Sequence, residues 1–244
     1  MEPGTGPDQA SAEAAAWPLL DAAEQARAAR LRVAADRAAY IAAHALLRRT
    51  LSTVAAGNGA AIPPASWRFA TPAGGKPAIH GPPGQQGLHF SLSHARGMVA
   101  CAAGYGHDLG VDVEAIGAAA RPLELARRFF APEEAALIAS LPPGPREVAF
   151  CRIWTLKEAY LKATGTGILA PLDGFAFSLD PVAIRFPAAS DDRPDSWQFA
   201  EWAVGLAHRL ALAVRRPAAS PIMLDAAQDS SCAALPPGAG DKPA

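Results

Sequence analysis

A helix pattern that stops at two glycines constrains this chain most. Over residues 146–163 the apolar positions Phe150, Ile153, Leu156, Tyr160 and Ala163 recur at spacings of three and four, which predicts one buried face of an α-helix. Gly165 and Gly167 follow at once; glycine ends helices and lets backbone approach a ligand closely. Glu158 and Lys162 are four residues apart, one above the other on a single face, with Trp154 one turn earlier. A Glu–Lys pair at this spacing is ordinarily a solvated pair contributing about 0.2–0.5 kcal/mol. Beside a glycine turn, the same carboxylate and ammonium suit a metal ion and a phosphate held together.

A second segment, Gly110-Val111-Asp112-Val113-Glu114, reads as a strand. Alternate residues of a strand share a face, so Asp112 and Glu114 project together while Val111 and Val113 face the core. Two neighbouring carboxylates repel unless a cation sits between them. A hard divalent ion such as Mg²⁺, bound through a few carboxylates and substrate phosphates, answers that problem. Two solvated acids on a strand edge are the alternative.

Together these segments resemble the signature of the 4′-phosphopantetheinyl transferases. The family pattern is a G-(I/V)-D-(I/V)-E strand followed later by W-x-x-K-E-A-x-x-K-x-x-G-x-G; both are complete here, at 110–114 and 154–167. Gly75-Lys76-Pro77 is similar to the family's G-K-P turn, and Phe90-Ser91-Leu92-Ser93-His94 to its F-N-(I/L)-S-H segment, with Ser91 in place of the usual Asn. Leu125 to Phe130 resembles the helix ending R-F-F before an acidic pair, here Glu133 and Glu134. The resemblance runs from about residue 27 to about residue 214. Length and segment order look like the monomeric, Sfp-type branch, associated with secondary metabolite biosynthesis.

The resemblance implies an α+β fold of two similar subdomains related by a pseudo-twofold axis, with the substrate cleft between them. It implies Mg²⁺-dependent transfer of the phosphopantetheine arm of coenzyme A to a serine of an apo acyl, peptidyl or aryl carrier protein, releasing adenosine 3′,5′-bisphosphate. On the same resemblance Mn²⁺ would be a substitute ion. Asp112, Glu114 and Glu158 would hold the metal; Glu158, or a metal-bound water it orients, would be the base; Lys162 would neutralise the transferring phosphate, with Lys157 contacting the same ligand. Arg48 would lie near the 3′-phosphate, Lys76 at the adenine end, and Ser93 and His94 on phosphate oxygens. A catalytically weak member that binds coenzyme A or a carrier is the alternative; retention of Asp112, Glu114, Glu158 and Lys162 argues against it.

Bulk properties narrow the classes further. Formal net charge is −1, not the strongly basic balance expected of a nucleic-acid binder. Cys101, Cys151 and Cys232 are scattered, so neither a zinc site nor a disulfide framework is indicated. No apolar run is long enough to span a bilayer, and no leader pattern opens the chain, which reads as cytoplasmic. The sequence predicts a disordered N-terminus over 1–16, subdomains over 17–111 and 112–216, and a mostly disordered tail over 217–244. One helix is expected over 22–51 and helices from Pro122 and Pro132, with short strands elsewhere.

Overall fold

The computed structural model describes residues 7–71, 76–167 and 170–217. The predicted tail therefore lies, all but residue 217, outside the described residues. Two compact units divide the described chain between Tyr105 and Gly106.

Among the described residues of the first unit, three α-helices precede four short strands: α1 (Pro7–Ala16), α2 (Ala22–Arg30), α3 (Ala34–Gly57), β1 (Arg68–Ala70), β2 (Ala78–Gly81), β3 (Leu88–Ala95) and β4 (Met98–Tyr105). Strands β1 and β2 form one antiparallel pair and β3 and β4 another, with Leu88 opposite Tyr105 and Ala95 opposite Met98. Leu47, Leu51 and Ala55 of α3 pack with Trp67, Leu88 and Phe90. This realises the apolar stripe of α3 against alternate residues of β3.

Two expectations fail here. Residues 7–16 are helical, not disordered: the segment is rich in alanine, and its last residue, Ala16, is buried with Leu20, Ala28, Ile41 and Ala45. The pattern expected as one helix over 22–51 is two, broken at Leu31 to Val33. Neither glycine nor proline marks that break, so periodicity alone ran the helices together. Asp21 starts α2 with a capping box: its carboxylate accepts from Ala23 N (3.0 Å) and Glu24 N (2.9 Å), and Glu24 accepts from Asp21 N (2.9 Å).

The second unit holds β5 (Leu109–Ala115), α4 (Pro122–Phe129), α5 (Pro132–Ser140), α6 (Pro143–Thr164), β6 (Ala176–Leu179), β7 (Val182–Arg185), β8 (Trp197–Val204) and β9 (His208–Arg215). A proline opens each of α4, α5 and α6, where its missing N–H costs nothing. The antiparallel order β5-β9-β8 makes a three-stranded sheet, and β6-β7 form a hairpin. Helix α6 packs on β5 and β9, its core face joining Phe130, Ile138, Phe175, Phe177, Trp197 and Ala211. The boundary falls before β5, not at residue 112 as the sequence suggested. Strand β5 pairs with β9 along its whole length, from Leu109↔Val214 to Ala115↔His208, so it cannot be divided between units. Helices and antiparallel strands in separate segments make an α+β fold.

Candidate active site

Gly110, Asp112 and Glu114 share one face of β5, and α6 lies on it. A Cβ on Gly110 would stand 2.1 Å from the Ala159 carbonyl oxygen and 2.5 Å from the Ala163 nitrogen. Only glycine permits this approach of helix backbone to strand. It brings the last turns of α6 within side-chain reach of Asp112, two residues along.

Asp112 is fully buried, and Lys162 Nζ donates to its Oδ1 at 2.6 Å. The Lys162 side chain keeps 27% of its exposure, so it is partly open while its partner carboxylate is not. Glu158, one turn back, is buried to 7% exposure, unlike the solvated pair that spacing alone suggests. Gly165 caps α6 in the left-handed conformation (φ +72°), its N–H on the Leu161 carbonyl at 3.0 Å. Glu114 is half-buried opposite Arg209 of β9. Its carbonyl accepts from Cys151 Sγ (3.7 Å), and burial, then the Glu114 charge, pushes that thiol up to about 12. Cys151 is thus a packing thiol. Trp154 stacks with Phe150 and contacts Phe130, at centroid distances of 5.7 and 6.0 Å, and so braces the helix.

As donors, Asp112, Glu114 and Glu158 fit a hard cation in kind: three carboxylates with no nitrogen or sulfur. Among the described residues, however, no three acidic, histidine or cysteine side chains are gathered as a ready metal site. In this structure Asp112 is ion-paired with Lys162.

Two expected ligand contacts are corrected. Lys157 is fully buried and paired with Glu134 (Nζ–Oε2 2.8 Å), while its ammonium also donates to the carbonyls of Leu172 (2.7 Å) and Phe175 (2.6 Å). Burial lowers the Lys157 pKa and raises that of Glu134, each offset by the other's charge. With its three N–H donors so placed, Lys157 does not reach a phosphate.

Arg48 is fully buried too. Its Nε and Nη2 donate to Glu24 Oε2 (3.0 and 2.7 Å), Nη2 also to Asp21 Oδ2 (3.1 Å), and Nη1 to the carbonyls of Trp67 (2.9 Å) and Pro64 (3.2 Å). These five bonds match the five N–H groups of a guanidinium. Arg48 therefore builds the first unit and has no donor left for a 3′-phosphate. His44 Nδ1 joins at 2.7 Å from Glu24 Oε1. Of the other first-unit candidates, Ser93 is buried in β3, His94 is exposed near that strand's end, and Lys76 is half-buried just before β2.

Sequence reasoning missed the Asp21–Glu24–His44–Arg48 network, although Asp21-Ala22-Ala23-Glu24 is a legible capping-box signature.

The family model of the 4′-phosphopantetheinyl transferase superfamily matches residues 108–214, the span holding β5, α6 and the three-stranded sheet. The 4′-phosphopantetheinyl transferase HetI of Nostoc sp. (strain PCC 7120) is 35% identical over 182 residues, 75% of this chain and 73% of HetI. The transferase psf-1 of Bacillus pumilus is 28% identical over 83% of this chain and 82% of its own length. The transferase Sfp of Bacillus subtilis (strain 168) is 33% identical over 49% of this chain and 52% of Sfp. With the glycine-backed strand, the acid and lysine rail and these relatives in one chain, it belongs to the 4′-phosphopantetheinyl transferase family, in its Sfp-type branch.

Proposed function

We propose that this chain transfers the 4′-phosphopantetheine arm of coenzyme A to a serine of an apo carrier protein, and that β5 and α6 carry the chemistry. The observation that supports this best is the Lys162–Asp112 contact at 2.6 Å, a partly exposed lysine side chain anchored on a fully buried carboxylate. In the reaction the serine Oγ bonds to the phosphorus bearing the pantetheine arm. The bond from that phosphorus to the bridging pyrophosphate oxygen breaks, its electron pair leaving with adenosine 3′,5′-bisphosphate. The serine proton goes to a base.

Lys162 offers its charge to the phosphate oxygens as negative charge shifts toward the leaving group, the point at which a positioned cation accelerates transfer most. Lysine suits the task as a mobile point charge. Glu158 takes the serine proton or orients the water that does; its burial keeps it in place. Asp112, Glu114 and Glu158 would hold Mg²⁺ or Mn²⁺, which when bound supplies neutralisation of the pyrophosphate. Ser93, His94 and Lys76 are assigned to coenzyme A phosphates and its adenine end on the family motifs alone. Acyl, peptidyl and aryl carriers all present the required serine, and the chain would act on them as a cytoplasmic monomer. No helix among the described residues is long and apolar enough to cross a membrane.

The test is release of adenosine 3′,5′-bisphosphate from coenzyme A. Release that requires both an apo carrier and a divalent cation, and stops on chelation, is the expected result. Release without carrier would replace transfer by hydrolysis.

A further inference from the structure

We propose that Lys157 is a positioning residue for the transfer reaction: through Glu134 and the carbonyls of Leu172 and Phe175 it fixes where α6 presents Glu158. This rests on the transferase reading above. A buried lysine between the rings of Phe175 (4.3 Å to centroid) and Phe130 (5.4 Å) sits where an apolar side chain would fill the space without desolvating a charge. What an apolar residue could not do is donate three hydrogen bonds. Those bonds reach separate segments, α5 through Glu134 and the turn before β6 through the two carbonyls. Glu134 extends the tie, accepting from Ala131 N (3.0 Å) and Phe177 N (2.7 Å). A helix pinned at Lys157 cannot slide or rotate without breaking all three bonds, and the next residue is Glu158. Displacement of a reacting group by about 1 Å can cost about a hundredfold in rate, so such a pin matters beyond stability.

The experiment compares Glu134→Gln with the double variant Lys157→Met/Glu134→Gln in the full-length chain. Both lack the buried ion pair and neither leaves a lone buried carboxylate. They differ in whether the Leu172 and Phe175 carbonyls keep their donor. Transfer to an apo acyl carrier protein is measured at a temperature where both are folded, with kcat and the KM for coenzyme A determined separately. Amide hydrogen exchange over 156–164 is followed in parallel. The proposal expects kcat of the double variant at least about tenfold below that of Glu134→Gln, the KM within about threefold, and faster exchange in the last turns of α6. Equal kcat overturns it. So does a double variant that fails to fold, or whose loss tracks only the fraction folded, because Lys157 is then a structural group. Wild-type transfer in the same assay separates the two ideas. Its absence removes the transferase reading, whereas transfer without a split between variants removes only the role of Lys157.

Discussion

A carboxylate with no solvent exposure, paired with an ammonium at 2.6 Å, carries a desolvation cost that its pairing must offset. If Asp112 and Glu158 act as assigned, Asp112→Ala and Glu158→Ala each lower the transfer rate at least about a hundredfold while the chain stays folded, as circular dichroism would check. Lys162→Ala should reduce kcat more than it raises the KM for coenzyme A; an effect confined to KM would make Lys162 a uniform binding group. Arg48 belongs to another class. Arg48→Ala strands the buried Glu24 carboxylate and is expected to cost about 3–5 kcal/mol of stability, read as a fall in Tm. It should weaken coenzyme A and its 3′-dephospho analogue alike. Strand parity placed Asp112 and Glu114 on one face, and the four-residue spacing put Glu158 over Lys162, so these were legible. The roles of Arg48 and Lys157 were not. A motif tells which side chain stands at a position, whereas their partners Asp21, Glu24 and Glu134 are 27, 24 and 23 residues away in sequence.

At the level of elements, Gly110 is the hinge between sequence and site. A methyl group there would collide with helix backbone that cannot move aside as a side chain could. Gly110→Ala is therefore expected to lose about 1–3 kcal/mol, the usual cost of overpacking, and to lose transfer activity beyond that, because α6 carries Glu158 and Lys162. Wild-type rates with unchanged Tm would show that α6 does not need this contact. Helix α1 offers a second test. Removing residues 1–16 deletes buried Ala16 and the Glu13 that faces Arg37 at 3.9 Å, so Tm should fall by several degrees. An unchanged Tm would show that α1 adds no stability. The pattern over 22–51 hid a break, whereas the motif helix, expected over 146–163 and found at Pro143–Thr164, was readable from sequence. Strand β2 was not: Ala78-Ile79-His80-Gly81 is too short to show alternation, and only pairing with β1 defines it.

Across the whole molecule, pH reports on the first unit's buried network. Burial pushes Glu24 up, but the hydrogen bonds from His44 and the Asp21 backbone, with the charges of His44 and Arg48, leave it below the usual carboxylate range. Its folded pKa thus lies under its unfolded one. The stability it contributes is fully present above the unfolded value, about 4.3, and is lost as pH falls through the folded value. A Tm series from neutral pH down to about 3 should decline at the acid end, and Glu24→Gln should flatten that decline from a lower starting Tm. The two compact units divide before β5, not at residue 112. A strand's allegiance is set by its partner, and β9 is almost a hundred residues from β5.

If this chain moves a phosphopantetheine arm and Asp112 is essential to the move, the mass of the carrier reports both. Intact mass of an apo carrier protein, incubated with coenzyme A, Mg²⁺ and either the wild-type chain or Asp112→Asn, tests both parts. One added phosphopantetheine arm per carrier is expected with the wild type and almost none with the variant over the same time. No mass gain with the wild type across acyl, peptidyl and aryl carriers, or equal gain with both proteins, would contradict it.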